Sequence, residues 1–372
     1  MAFHGMEWHL FYGALWFRAA PLLAGAPLLC SGAPPAPRQG KGGANGAQRP
    51  AGDVERDLDG FLATDWPGRR TLKTAIGCVG VGLHSGRRVS LTLRPAAAGT
   101  GILFRRIDLG IDIPARFDRV VDTRLCTALV AAKAPQARIG TVEHIMAALA
   151  GTGITDAIVE LDGPEVPILD GAAASFVFLI DCAGTFALPG AAPVLEVLKP
   201  VRVTEGEAFA ELHPTRETGL TAALTIDFPA DVIGRQKLEL RVTRAAFRAQ
   251  LAEARTFALA EDVARLRAAG LAQGGSLANA VVVDGPLVLN PGGLRWPDEF
   301  VRHKLLDVVG DLALAGAVLS ARFVGHRSGH ALNNQVLRAL FADHSAWRLT
   351  EGELAAEGAA TRLPAAAAPA IA

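Results

Sequence analysis

The chain has no excess of charge of either sign. Its 37 lysines and arginines balance 37 aspartates and glutamates. That removes the electrostatic case for nucleic acid or an anionic membrane surface as a partner, although local cations can still bind phosphate. Cysteine is scarce: Cys30, Cys78, Cys126 and Cys182 lie far apart with no CxxC pair. A disulfide framework is thereby disfavoured, and a reducing, cytoplasmic compartment is expected. No HExxH segment occurs, which disfavours a standard zincin peptidase. The longest apolar stretch, residues 9–30, is interrupted by Arg18 and two prolines, so no stable membrane insertion is expected.

The first 68 residues differ from the rest. Residues 31–53 are rich in Gly, Pro, Ala and Arg, a composition that favours disorder. The segment reads either as a secretory leader or as an extension outside the enzyme. The extension, or a start codon placed too far upstream, is favoured because the cysteine usage and the chemistry below suit the cytoplasm, and no basic residue precedes the apolar run. From Arg69 onward the texture is that of a folded enzyme. Val89–Leu93 alternates as a half-buried strand does, and Gly101–Arg105 and Ala157–Leu161 read as further strands. Thr141–Leu149 reads as an amphipathic helix stopped by the glycines at 151 and 153, and Ala173–Ala183 as a second helix. After a Pro/Gly connection at 187–194 the order repeats, with strands at Leu195–Val203, Ala208–Leu212 and Leu220–Phe228 and helices later. The expectation is an α+β fold of two similar layered domains, 69–190 and 191–350, followed by an Ala-rich tail at 351–372. A strand-helix-strand insertion at about 258–284 either packs on its own domain or forms an apolar channel for a ligand.

Short polar clusters punctuate this apolar background. Val301, Leu305, Val308 and Leu312 form a stripe that predicts a helix opening at Trp296-Pro297-Asp298-Glu299. Off that stripe, His303 and Asp307 are four residues apart, with Cβ atoms about 5–6 Å apart. Both can reach one zinc ion through bonds of about 2 Å. Asp311 lies about 12 Å along the axis from His303, which suits a partner for another histidine better than a third ligand. His144 can complete the set, leaving a position open for water. Glu143, about 100° round the helix from His144, is then the candidate general base. His330, in Ser328-Gly329-His330, would supply the general acid, oriented by Asp311. Thr256 offers a hydroxyl to an oxyanion and Lys304 a cation, while Cys126 reads as an inert buried thiol and His84 sits in a Gly-rich turn that could border a site.

Taken together, Gly80-Val81-Gly82-Leu83-His84-Ser85-Gly86, Thr141-Val142-Glu143-His144, Asp170-Gly171, Arg255-Thr256-Phe257, Phe300-Val301-Arg302-His303-Lys304 and Ser328-Gly329-His330-Ala331-Leu332-Asn333-Asn334 resemble the UDP-3-O-acyl-N-acetylglucosamine deacetylase family of lipid A biosynthesis. The motifs occur in the family's order over about residues 69–350. The resemblance implies two α+β domains with a zinc site between them, an insertion in each, and an apolar passage in the second for an acyl chain. It implies zinc ligation by His144, His303 and Asp307, Glu143 as base, and His330 as acid assisted by Asp311. Thr256 and Lys304 would stabilise the oxyanion, and Leu83, Phe257 and Cys126 would line the pocket. Phe228 would stack on uracil, and Arg327 would lie near the diphosphate, where many members carry lysine. The loop after Phe228, residues 229–235, looks shortened. The implied substrate is UDP-3-O-acyl-N-acetylglucosamine and the implied chain a cytoplasmic monomer; iron(II) suits the same ligands. Two rivals remain at this point, a zinc amidase acting on another acylated compound and a non-catalytic nucleotide-sugar binder.

Overall fold

A computed structural model describes residues 68–350. The expected N-terminal extension up to residue 67 and the tail at 351–372 lie outside the described residues. In the first half, β1 (Ile76–Val81), β2 (Arg88–Pro95), β3 (Ile102–Arg106), β4 (Ile111–Pro114) and β5 (Ala157–Leu161) form one sheet in the order β1-β2-β5-β3-β4. Only the β3–β5 pair is parallel. The alternation in β2 buries Val89, Leu91 and Leu93 against the core, as its period of two requires. Helix α1 (Glu143–Thr152) precedes β5 and α2 (Ala174–Ala183) follows it.

The second half repeats the plan. Strands β6 (Val201–Glu205), β7 (Ala208–His213), β8 (Leu220–Asp227), β9 (Arg235–Arg241) and β10 (Val318–His326) are arranged β6-β7-β10-β8-β9. Again a single pair, β8–β10, is parallel. Helix α3 (Glu299–Ala313) precedes β10 and α4 (His330–Ala342) follows it. Strand order, strand sense and helix placement therefore correspond, which is the expected α+β duplication. Val194–Val197 and Trp347–Thr350 extend the second sheet beside the start of β10.

Three local expectations need correction. Leu195–Val203 is two strands, because the chain breaks at Leu198-Lys199-Pro200, where proline offers no N–H to a ladder. Helix α3 starts at Glu299, not Trp296; Asp298 accepts from Arg302 Nε (2.7 Å) instead of capping. Helix α1 is not amphipathic: every residue but Ala150 is buried. It ends as expected, with Gly153 left-handed at φ 79°.

Burial on all sides follows from how α1 and α3 meet. A Cβ on Gly310 of α3 would lie 2.0 Å from the Glu143 carbonyl oxygen, and one on Gly151 would lie 2.2 Å from the Phe247 ring. Glycine at both positions lets backbone and ring approach without a side chain between. Buried apolar residues of both halves then form one continuous core.

Each half carries an addition. Val120–Asp122, Ala128–Ala131 and Ala134–Ile139 make a small sheet in the first. In the second, Phe257–Leu259 and Val281–Asp284 pair in parallel around the helix Ala260–Ala268, the expected strand-helix-strand unit. That unit grips the Gly-rich turn of the first half. Gly274 N–H donates to Leu83 O (3.0 Å) and Gln273 N–H to His84 O (3.2 Å). Among the described residues, no helix is long and apolar enough to cross a membrane.

Candidate metal centre and acid–base pair

Helices α1 and α3 bring the candidate ligands together. Ligand atoms of His144, His303 and Asp307 all lie within 4.8 Å of one another, and all three residues are buried. Asp307 Oδ1 is 3.4 Å from His303 Nε2 and 3.7 Å from His144 Nε2. Atoms bonded at about 2.0–2.1 Å to a tetrahedral ion are spaced by about 3.3 Å, so a small divalent ion fits. Asp307 Oδ1 is buried without a hydrogen-bond donor, a costly arrangement unless a cation faces it.

Protonation suits ligation. Burial, then His303, lowers His144 to about 3. Burial also lowers His303, whose Nδ1–H donates to the Ala254 carbonyl (3.0 Å), leaving the Nε2 lone pair inward. Burial alone would raise Asp307, but Lys304 and then the imidazoles pull it well below the usual carboxylate range. Lys304 Nζ donates to Asp307 Oδ2 (2.8 Å). Two neutral imidazoles and one carboxylate are the forms that bind metal.

Glu143 and His330 face each other beside this set, Oε1 to Nε2 at 4.0 Å. Burial pushes Glu143 up to about 7. Burial would lower His330, but Asp311 overrides it and pushes the imidazole up to about 9. His330 Nδ1–H donates to Asp311 Oδ2 (2.8 Å). Near pH 8 the carboxyl is thus mostly ionised and the imidazole mostly protonated, an ordered base and acid.

The remaining candidates differ in what holds them. The Phe257 ring meets His303, Phe300 and Phe228 edge-on, at centroid distances of 6.3, 5.0 and 5.4 Å. Thr256 is fixed through its backbone, N–H to Gly171 O and O from Val281 N–H (both 2.8 Å). Gly171 needs to be glycine: φ is +82°, and a Cβ would meet the Asn279 carbonyl at 2.1 Å. Leu83 lies under the insertion loop, near Gly275. Burial, then Glu143, pushes Cys126 up to about 12, so it stays a thiol. Arg327 is tied to Glu207 (2.9 Å) and Asp227 (2.7 Å) and sits at φ +50°.

Several contributors carried no role in the sequence reading. Glu165 accepts from the His84 and Ser85 N–H groups (2.8 Å each) and from Thr141 Oγ1 (3.0 Å), tying the Gly-rich turn to the strained Thr141 (φ 56°) at the entry to α1. Glu299, read as a first-turn acid, is fully buried and accepts from Arg255 Nε (2.8 Å) and Arg295 N–H (2.6 Å). Thr127 and Asn333 both bind Asp311. Of these, Glu299 and Asn333 stood inside segments already singled out, and Thr127 is the neighbour of Cys126. An apolar cleft of about 120 Å³ lies elsewhere between the halves, lined by Met146, Leu149, Val309 and Leu312, and includes none of these site residues.

Residues 69–342 match the family of UDP-3-O-acyl N-acetylglycosamine deacetylases. A protein of Anaeromyxobacter dehalogenans named UDP-3-O-acyl-N-acetylglucosamine deacetylase is 46% identical over 80% of this chain and 96% of its own length. A namesake from Shewanella frigidimarina is 46% identical over 76% of this chain and 92% of its own. Another from Anaeromyxobacter sp. Fw109-5 is 47% identical, with the same coverages. The chain belongs to the UDP-3-O-acyl-N-acetylglucosamine deacetylase family.

Proposed function

We propose that this chain is a zinc-dependent amidase that removes the N-acetyl group of UDP-3-O-acyl-N-acetylglucosamine in lipid A biosynthesis, releasing acetate and a free amine. The observation that carries the reading is the opposition of Glu143 and His330 at 4.0 Å beside three buried ligands. His144, His303 and Asp307 would hold the metal, and iron(II) suits the same donors. A bound divalent ion would acidify water and polarise the acetyl carbonyl. Glu143 takes the proton from the attacking water, and His330, kept cationic by Asp311, gives one to the departing amine. Thr256 and Lys304 stabilise charge developing on the carbonyl oxygen. A pure binder would need neither the base nor the acid.

For the rest of the substrate, Phe228 stacks on uracil and Arg327 meets the diphosphate once released from Glu207 and Asp227. Leu83, Phe257 and Cys126 line the pocket. The acyl chain runs along the insertion at 258–284, whose helix buries no residue and near which Leu277, Leu287 and Leu289 stand exposed. The three described cysteines are free, which suits the cytoplasm. The working form is a monomer.

Acetate release from the UDP-acyl-glucosamine, followed with and without a chelator, tests this reading. Metal-dependent release is expected, and its absence would sink the assignment. Glu143→Gln keeps the shape but not the base, and should retain metal while turnover drops by about 10²–10⁴-fold.

A further inference from the structure

Thr127 touches the candidate base and the carboxylate that holds the candidate acid. Its backbone N–H donates to Glu143 Oε2 (2.9 Å), and its hydroxyl donates to Asp311 Oδ1 (2.5 Å). The other oxygen of Asp311 accepts from His330 Nδ1 (2.8 Å) and Asn333 Nδ2 (2.9 Å). Thr127, Asp311 and Asn333 are each at most 2% exposed, so bulk water does not compete for these bonds.

We propose that Thr127, with Asn333, is a positioning residue that registers the general acid to the general base. The inference rests on the deacetylase reading for its kinetic consequence. A buried carboxylate bonded to one imidazole alone can turn about its terminal torsion, which is soft. Here both oxygens of Asp311 are held, one by the hydroxyl and one by two N–H groups, so its plane is set. The plane in turn sets the direction of the His330 ring and of Nε2. Because the same residue also holds Glu143 through its amide, base and acid are referred to one fixed point. A shift of residue 127 would move both together.

Thr127→Val keeps the shape and the amide but removes the hydroxyl, whereas Thr127→Ser keeps the hydroxyl and removes the methyl. For Thr127→Val, kcat should fall by about 10-fold or more, with KM within about twofold and bound metal unchanged. Thr127→Ser should stay within about threefold of the parent. A second readout needs no turnover: the downfield proton resonance of His330 Nδ1–H, assigned by its loss in His330→Gln. It should shift or broaden in Thr127→Val and persist in Thr127→Ser. If Thr127→Val does not fold, Asn333→Leu leaves the other oxygen bonded to His330 alone and is read by the same measurements, with the same direction expected. Parent-like kcat and resonance in Thr127→Val, or equal losses in the Ser and Val variants, would overturn the proposal. Failure of the parent to release acetate would instead count against the deacetylase reading, while the resonance would still decide the role of Thr127.

Discussion

At the level of single residues, the site separates two ionisable groups whose ordinary preferences are reversed. Glu143 is raised to about 7 by burial, and His330 is raised to about 9 despite burial because Asp311 lies against it. The base works when deprotonated and the acid when protonated, so activity should rise with pH through the carboxyl and fall through the imidazole. Asp311→Asn removes the charge that lifts His330. The descending alkaline limb of kcat/KM should therefore move to lower pH, with about 10–100-fold less activity. An unmoved limb would show that Asp311 does not set the acid. Two of the candidate ligands, His303 and Asp307, were legible because their spacing on one helix, four apart, is itself a geometric statement. Glu165 and Thr127 were not, since Glu165 binds groups as far as 81 residues away and Thr127 binds one 184 away. Nothing local marks such contacts.

Among the elements, the meeting of α1 and α3 decides whether the site exists. The candidate ligands come from both helices, and Gly310 lies against the carbonyl of Glu143, the proposed base. Alanine ordinarily gains about 1 kcal/mol over glycine inside a helix. Here the added methyl would meet a backbone oxygen at 2.0 Å, which no rotamer relieves. Gly310→Ala should destabilise by about 1–3 kcal/mol and depress kcat, as measured by denaturant unfolding and acetate release. Stability at or above the parent's would remove this reading of the contact. The helices themselves were readable from their apolar period. What periodicity missed is that α1 is wrapped on all sides, because a run of small residues carries the same pattern whether one face or every face is covered. The break at Pro200 and the late start of α3 likewise depend on neighbours: the strand before that break pairs with β10 and the strand after it with β7, and Asp298 is taken by Arg302.

Across the whole molecule, two copies of one strand order contribute unequal shares of a single centre. The first supplies His144 and Glu143, the second His303, Asp307, Asp311 and His330. An ion held across both halves binds only when they are docked, so it should stabilise the fold as a whole. At a free concentration about 1,000 times Kd, that linkage is worth about 4 kcal/mol. Chelation should lower Tm by several degrees in a single transition, and restoring zinc should reverse it. An unchanged Tm would mean the ligand set forms without the ion.

The distance between Thr127 and Asp311 along the chain has one more consequence. During synthesis the amino-terminal half emerges first, carrying Glu143 but not the helix that packs against it. It then waits for α3 and α4, and the acid arrives only with His330, near the end of the described chain. No shorter translation product holds the pair. If the proposed hydrolysis needs both groups, a polypeptide interrupted before His330 should be silent toward acetamides.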